Sequence, residues 1–316
     1  MTMLSRTADN LFWLSRYIER AENLARILDV ARRLASLPSA YAGSSNEWES
    51  AIATASATEV FATAYPAATR ESVVRFIVGD DSNPSSIRAC IRIARANARA
   101  VRTAITGEMW EIVNDAWNAQ RGIDPSALDD DSQLTAFLES VKAMSLAFDG
   151  AAYRTMLRTD HYRFQRLGTF LERADNMARL LDVKYHVVLP NMQPVGSGLD
   201  YFQWATILRG LGALTSYHWV YRDNLRPWLV ADFLILRREQ PRSLVSCYAA
   251  LAEHLDAVAD EYGRQGPAQR LARAMLGRLS NTDIDAVFAG GLHEFLRGFI
   301  VENNALGAAI ARQYLA

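Results

Sequence analysis

Two short stretches carry acid and base side chains in the same pattern. Tyr17–Val30 reads YIERAENLARILDV and Phe170–Val183 reads FLERADNMARLLDV, identical at nine of 14 positions with an offset of 153. Glu19, Arg20, Asn23 and Arg26 recur as Glu172, Arg173, Asn176 and Arg179, while Arg16 gives way to Thr169. A helix turns by ~100° per residue, which puts each polar set on one side of a helix. In the first copy Leu14, Ile18, Ala21, Leu24, Ala25 and Leu28 take the other side.

Intrahelical support explains part of the pattern. Glu22→Arg26 and Asp175→Arg179 are i,i+4 pairs in the favourable order, worth roughly 0.2–0.5 kcal/mol each. A solvated face accounts well for Glu22 and Asp29. It accounts less well for Glu19, Arg20 and Asn23. A solvated site exchanges Arg for Lys at little cost, whereas a buried Arg–carboxylate fork does not. Two readings stay open: a buried hydrogen-bonded network where two helices meet, or a ligand site. As a site, Glu19 and Glu172 could divide acid and base roles or hold a cation. A bundle di-iron centre would want Glu-x-x-His on two helices. Three residues before His161, His186, His218, His254 and His293 stand Arg158, Val183, Thr215, Leu251 and Gly290. Neither a metal nor another cofactor is expected.

A second constellation occurs once. Asn83-Pro84 reads as an N-cap followed by proline at the first helical position. Beyond it Arg88, Arg92, Arg95, Arg99 and Arg102 follow at spacings of 4, 3, 4 and 3, all on one helix face. Like charges at i,i+4 destabilise, so acidic neighbours, solvent screening or a bound anion should offset them. Planar recognition of carboxylate or phosphate favours Arg. The corresponding positions 157 residues on are Val245, Ala249, Ala252, Asp256 and Ala259, so the stripe is not repeated. Nucleic acid is disfavoured by a pI near 6.5 and by the absence of interleaved aromatics to stack bases.

The elements that must position these groups are helices. The chain has 316 residues, is half hydrophobic and carries a net charge of −1, so no global field draws it to DNA or an anionic membrane. Apolar residues recur at three and four, as in Ile87, Ile91, Ala94, Ala98, Val101 and Ile105. Val73–Val78 and Val230–Leu236 are ambiguous between strand and helix and read as helix, for want of partner strands. Breaks are expected at Pro38–Asn46, Gly79–Pro84, Gly122–Ser132, Pro190–Gly198 and Gly263–Pro267. No phosphate-binding loop, dinucleotide fingerprint or nucleophile elbow is present. Cys90 and Cys247 read as buried structural thiols, and His218 and His293 are the histidines to watch. The opening lacks a basic and apolar leader, no run reaches the ~18 apolar residues of a spanning helix, and two cysteines form no disulfide framework. A cytoplasmic protein without membrane or nucleic-acid partners is the expectation.

Self-similarity organises the rest. Val73, Phe76, Pro84, Ser86 and Cys90 match Val230, Phe233, Pro241, Ser243 and Cys247 at offset 157, and Leu134, Phe137 and Leu138 match Leu292, Phe295 and Leu296 at 158. Three blocks in one order argue for duplication of a unit, about 1–155 and 156–316, packed as a single all-α domain around a pseudo-twofold axis. A repeat that cannot bury its face alone needs its neighbour.

The opening segment MLSRTADNLFWLSRYIERAENLARILDV resembles the start of bacterial alpha-E domain proteins. So do NPSSIRACIRIARANARAVR, GEMWEIVN, TFLERADNMARLLD, DFLILRREQPRSLVSC and GLHEFL, over essentially the whole chain. The resemblance highlights Glu19, Arg20, Glu22, Asn23 and Arg26 with their second copies, and Pro84, Arg95, Asn97, Arg99, Arg102, Trp110 and Asn114. Ala96 departs from the family, which more often has Glu there. The resemblance implies an all-helical fold without an established activity, encoded beside ATP-grasp proteins, transglutaminase-like proteins and sometimes a proteasome-like peptidase. It thus implies a helical partner of an ATP-grasp amide ligase, binding the ligase or an anionic peptide or amino-acid substrate. Two alternatives stand beside it. One is an enzyme with Glu19 and Glu172 as acid and base and Arg95, Arg99 and Arg102 holding an anionic substrate. The other is a structural scaffold, with a homo-oligomer open.

Overall fold

The computed structural model describes residues 4–36, 46–188 and 198–315. Among these there are α-helices and short 3-10 and π turns, and no strand. The α-helices in chain order are α1 Ser5–Ala35, α2 Glu47–Thr54, α3 Thr58–Ala64, α4 Arg70–Gly79, α5 Ile87–Ala100, α6 Gly107–Gln120 and α7 Asp131–Thr155. They continue as α8 Asp160–Val188, α9 Gly198–Gly210, α10 Leu214–Tyr221, α11 Pro227–Ile235, α12 Leu244–Tyr262, α13 Pro267–Ser280, α14 Ile284–Gly290 and α15 Leu292–Ile310.

The two ambiguous apolar stretches are helical, as α4 and α11. Both are short enough to pass for strands, but their apolar residues are nearly all buried on packed helices. The long helices α1 and α8 form the centre and pack chiefly on each other. Helices α5 and α7 flank α1, with α6 between them. Helices α12 and α15 flank α8, with α13 between them. Because α1 has neighbours on several sides, its polar side is buried too. Gly168 on α8 permits the close approach: a Cβ there would collide with the Phe12 carbonyl on α1.

The shared Pro-x-Ser-x-x-x-Cys pattern has a local cause. Ser86 and Ser243 are the N-caps of α5 and α12, accepting from the amides of Ala89 and Ser246. A serine oxygen there satisfies a backbone donor that the helix cannot. Cys90 and Cys247, one turn on, are both fully buried. Two aromatic triads also correspond. Phe61, Tyr65 and Phe76 pack with centroids 5.1–6.2 Å apart, and Tyr217, Tyr221 and Phe233 with centroids 4.9–6.1 Å apart. The tyrosine hydroxyls donate to Asp80 and Asp232 respectively.

Two local expectations are corrected. Asn83 does not cap α5. Its Oδ1 accepts from the Ser85 amide and its Nδ2 donates to the Phe76 carbonyl, so it holds the turn before the helix. The helix also stops at Ala100 rather than running through Ile105. Val101 leaves helical geometry at φ −115°, and a turn leads to the N-cap Thr106 of α6. The expected breaks at 38–46 and 190–198 lie almost wholly outside the described residues.

Candidate functional site

The paired motifs meet at the α1–α8 contact, and each completes the other. Arg173 on α8 donates to both oxygens of Glu19 on α1, at 2.8 and 2.9 Å. Arg20 on α1 donates to both oxygens of Glu172 on α8, at 2.6 and 3.2 Å. Glu19 and Glu172 are 4% and 2% exposed. Two parallel N–H···O bonds to a carboxylate need the planar guanidinium fork, which accounts for Arg rather than Lys at both positions.

Each carboxylate also receives a second guanidinium, but from a different place. Arg16 donates to Glu172 at 2.8 Å from within α1. Arg242, in the segment before α12, reaches Glu19 at 3.2 Å and Glu22 at 2.5 Å. Glu22 further accepts from Arg26 at 2.8 Å and from the Ser145 hydroxyl at 2.7 Å. Burial alone would push both carboxyls up. Instead Arg16 and Arg20 hold Glu172 below its usual range, and Arg242 and Arg26, with Ser145, bring Glu22 to about 2. Burial pushes the nearby thiols of Cys90 and Cys247 up to about 12.

Glu22 and Asp29 therefore do not sit on a solvated face. They are 1% and 2% exposed. Asp29 accepts from Arg32 and Arg33, both at 3.0 Å, and from the ammonium of Lys142 on α7 at 3.2 Å. The intrahelical pairs Glu22–Arg26 and Asp175–Arg179 do form. Asn23 and Asn176 are half-buried beside the crossing, and the Asn176 amide nitrogen is buried without a hydrogen-bond partner.

The arginine stripe lies apart, on α5 and the turn after it. Arg92, Arg99 and Arg102 are exposed, Arg88, Arg95 and Asn97 half-buried. Arg88 donates to the Ile123 carbonyl at 2.7 Å, and Arg95 to the Asn114 Oδ1 at 2.9 Å. Arg95 and Arg102 each lie 5.7 Å from the centre of the Trp110 ring on α6. None of the five is within 4.0 Å of a carboxylate among the described residues, whereas α1 is laced with ion pairs. The residues 157 positions further on, on α12, are mostly buried, Val245, Ala252 and Ala259 among them.

Sequence reasoning passed over a third feature. An open cleft of about 470 Å³ lies where the end of α5, the start of α6, the α7–α8 connection and α12 converge; Thr106, Thr155, Asp160, His161 and Glu261 line it. Asp160 is 4% exposed. Its Oδ1 accepts from the His161 backbone amide and ring Nδ1, both at 2.8 Å, and its Oδ2 accepts from the Tyr262 hydroxyl at 3.1 Å. The Asp-His dipeptide after the Arg158-Thr159 break was the available signal. His254 is buried against Phe170 and Tyr162, where burial and then Arg163 bring it down to about 3. Of the two histidines singled out, His218 is exposed and His293 Nδ1 lies 2.6 Å from Asp182.

Among the described residues no helix is long and apolar enough to cross a membrane. A model of the Alpha-E family, described as a predicted alpha-helical domain with a conserved ER motif, matches residues 3–315. The dipeptide Glu-Arg occurs twice in this chain, at Glu19-Arg20 and Glu172-Arg173. No curated protein and no solved structure matches the chain.

Proposed function

The chain belongs to the Alpha-E family, and from that premise we propose that it is a helical partner protein that docks an anionic surface on the arginine face of α5 and α6. One observation carries this reading: five guanidiniums follow one another along α5 and the turn after it, and none lies within 4.0 Å of a carboxylate among the described residues. Such a row destabilises its own helix, and an anion on it offsets the repulsion. Trp110 and Asn114 hold Arg95 in place, and Arg102 lies over the same ring at 5.7 Å, so both are positioned before any ligand arrives. A cation–π contact of this kind contributes about 0.5–1 kcal/mol at an exposed site.

The partner the resemblance suggests is an ATP-grasp amide ligase, or its anionic peptide or amino-acid substrate, with a transglutaminase-like protein in the same system. A place in the cytoplasm fits two free, buried thiols. The alternative with Glu19 and Glu172 as acid and base draws little support from their surroundings. Each carboxylate is held by two guanidiniums, so neither is placed to exchange protons with a substrate.

Internal duplication is part of the same reading, with repeats at about 1–155 and 156–316 in one domain. Helices α1 to α7 answer α8 to α15 in order and packing, with the 3-10 turn Pro125–Asp129 answering α14. The crossed Glu–Arg forks and the matched aromatic triads support it.

The test is co-purification of an ATP-grasp protein from the native host with the wild-type chain and with R92E/R99E/R102E. All three positions are exposed, so the variant should fold with unchanged helicity. Loss of the ligase from the variant supports the docking face; equal capture by both proteins refutes it.

A further inference from the structure

We infer that the cleft at the junction of α5, α6, α8 and α12 is a second binding site, one that takes a primary ammonium group on a small molecule or a chain end. The proposal stands apart from the arginine face, whose chemistry is opposite. Among the described residues, those lining the cleft include two carboxylates, Asp160 and Glu261, and no lysine or arginine. Threonine hydroxyls of Thr106 and Thr155, 2.9 Å apart, line the same space.

His161 makes this more than an acidic hollow. Its Nδ1 lies 2.8 Å from Asp160 Oδ1, and the same oxygen is already fixed by the His161 backbone amide. A ring nitrogen facing a carboxylate at that distance donates to it, and in the Nδ1–H tautomer Nε2 is an acceptor. Asp160 is held in turn by Tyr262 through its other oxygen. The side chain of His161 remains 37% exposed, so the ring is reachable from the cleft it lines. An ammonium group has three donors and no acceptor. Nε2 of His161, the carboxylate of Glu261 and a threonine oxygen are acceptors of three different kinds on residues that line one cleft. A bare carboxylate or phosphate would meet Asp160 and Glu261 as like charges, and a purely apolar ligand would leave the acceptors unpaired.

The test is titration of the full chain, followed by NMR of backbone amides and by calorimetry, with three small probes. Glycinamide carries the ammonium alone, N-acetylglycinamide has it capped, and N-acetylglycine carries only a carboxylate. Glycinamide should shift the amides of Thr106, Thr155 and His161, and the two capped probes should leave them unmoved. Because Glu261 is exposed, Glu261→Gln should fold normally and bind glycinamide roughly tenfold more weakly, the loss expected for one charged hydrogen bond. His161→Gln should weaken it similarly. The inference is overturned if N-acetylglycinamide binds as well as glycinamide, if the shifted amides lie elsewhere, or if Glu261→Gln binds like wild type. R92E/R99E/R102E should bind glycinamide normally, so failure of the docking face and failure of this site are separable.

Discussion

Replacing Glu172 with Gln tests whether the Glu–Arg motif is a structural lock. The side chain keeps its shape and loses its charge, so Arg16 and Arg20 are left facing a neutral amide at the α1–α8 contact. Removing one member of a buried ion pair costs about 3–5 kcal/mol, because the remaining charge is stranded. Arg16 and Arg20 are 16% and 25% exposed and can turn partly toward water, which places the expected loss near the lower end, about 3 kcal/mol. Total stability is on the order of 5–15 kcal/mol, so the loss is large but survivable. Urea unfolding followed by far-ultraviolet circular dichroism reads it directly. With a slope of roughly 3 kcal/mol per molar, the midpoint should fall by about 1 M. Combining Glu172→Gln with Arg20→Gln should cost less than the sum of the two, with a coupling of roughly 0.5–3 kcal/mol. A loss below about 1 kcal/mol, the worth of an exposed pair, or strict additivity, refutes the lock.

Other outcomes follow from the same contacts. Glu22, brought from 4.5 to about 2 in the folded chain, stabilises fully above its unfolded pKa and loses that contribution as pH falls from about 4.5 toward 2. On the order of 3 kcal/mol is at stake, and a urea series against pH should flatten over that window in Glu22→Gln. Gly168→Ala gains about 1 kcal/mol in helix propensity but sets a Cβ against the Phe12 carbonyl. Overpacking of about 1–3 kcal/mol should win, so a raised Tm would contradict the packing described. Cys90 and Cys247, buried and pushed up to about 12, should resist a disulfide reagent until the chain unfolds. Reaction in the native protein at the rate of a free thiol would count against both burials.

Much of this was legible in the residues, and the failures have physical causes. Helix periodicity gave the fold class, because nearly every long segment buries one stripe. The doubled Glu-Arg motif pointed to a common meeting place for α1 and α8. A helical wheel describes one helix in isolation, however, and it assigned Glu22 and Asp29 to water. Their partners Ser145, Lys142 and Arg242 come from segments more than 100 residues away. No local pattern reports such contacts. The second guanidiniums, Arg16 and Arg242, were invisible for another reason: their counterparts are Thr169 and Ser85, so comparing the copies removes them from view. The Asp160–His161 pair escaped because the Glu-x-x-His spacing of a metal-binding bundle does not describe adjacent residues.

The placement of these groups separates what holds the chain together from what it offers to others. A buried ion pair seldom adds stability over well-packed apolar residues, and its best-attested use is to fix register. The crossed forks suit that use. Glu19 reaches Arg173 and Arg20 reaches Glu172 only when α1 and α8 are aligned at one depth, and sliding one helix by a turn strands four charges. The feature that the proposed copies share most closely is thus the one most fully consumed by folding. The features that one proposed copy has and the other lacks are left over: an arginine row with no carboxylate within 4.0 Å among the described residues, and a cleft at the α7–α8 connection. If duplication supplied a symmetric lock, chemistry directed outward had to arise where the symmetry breaks. Partner binding should therefore be sensitive to α5 and to the α7–α8 connection, and insensitive to conservative changes at the lock that leave the chain folded.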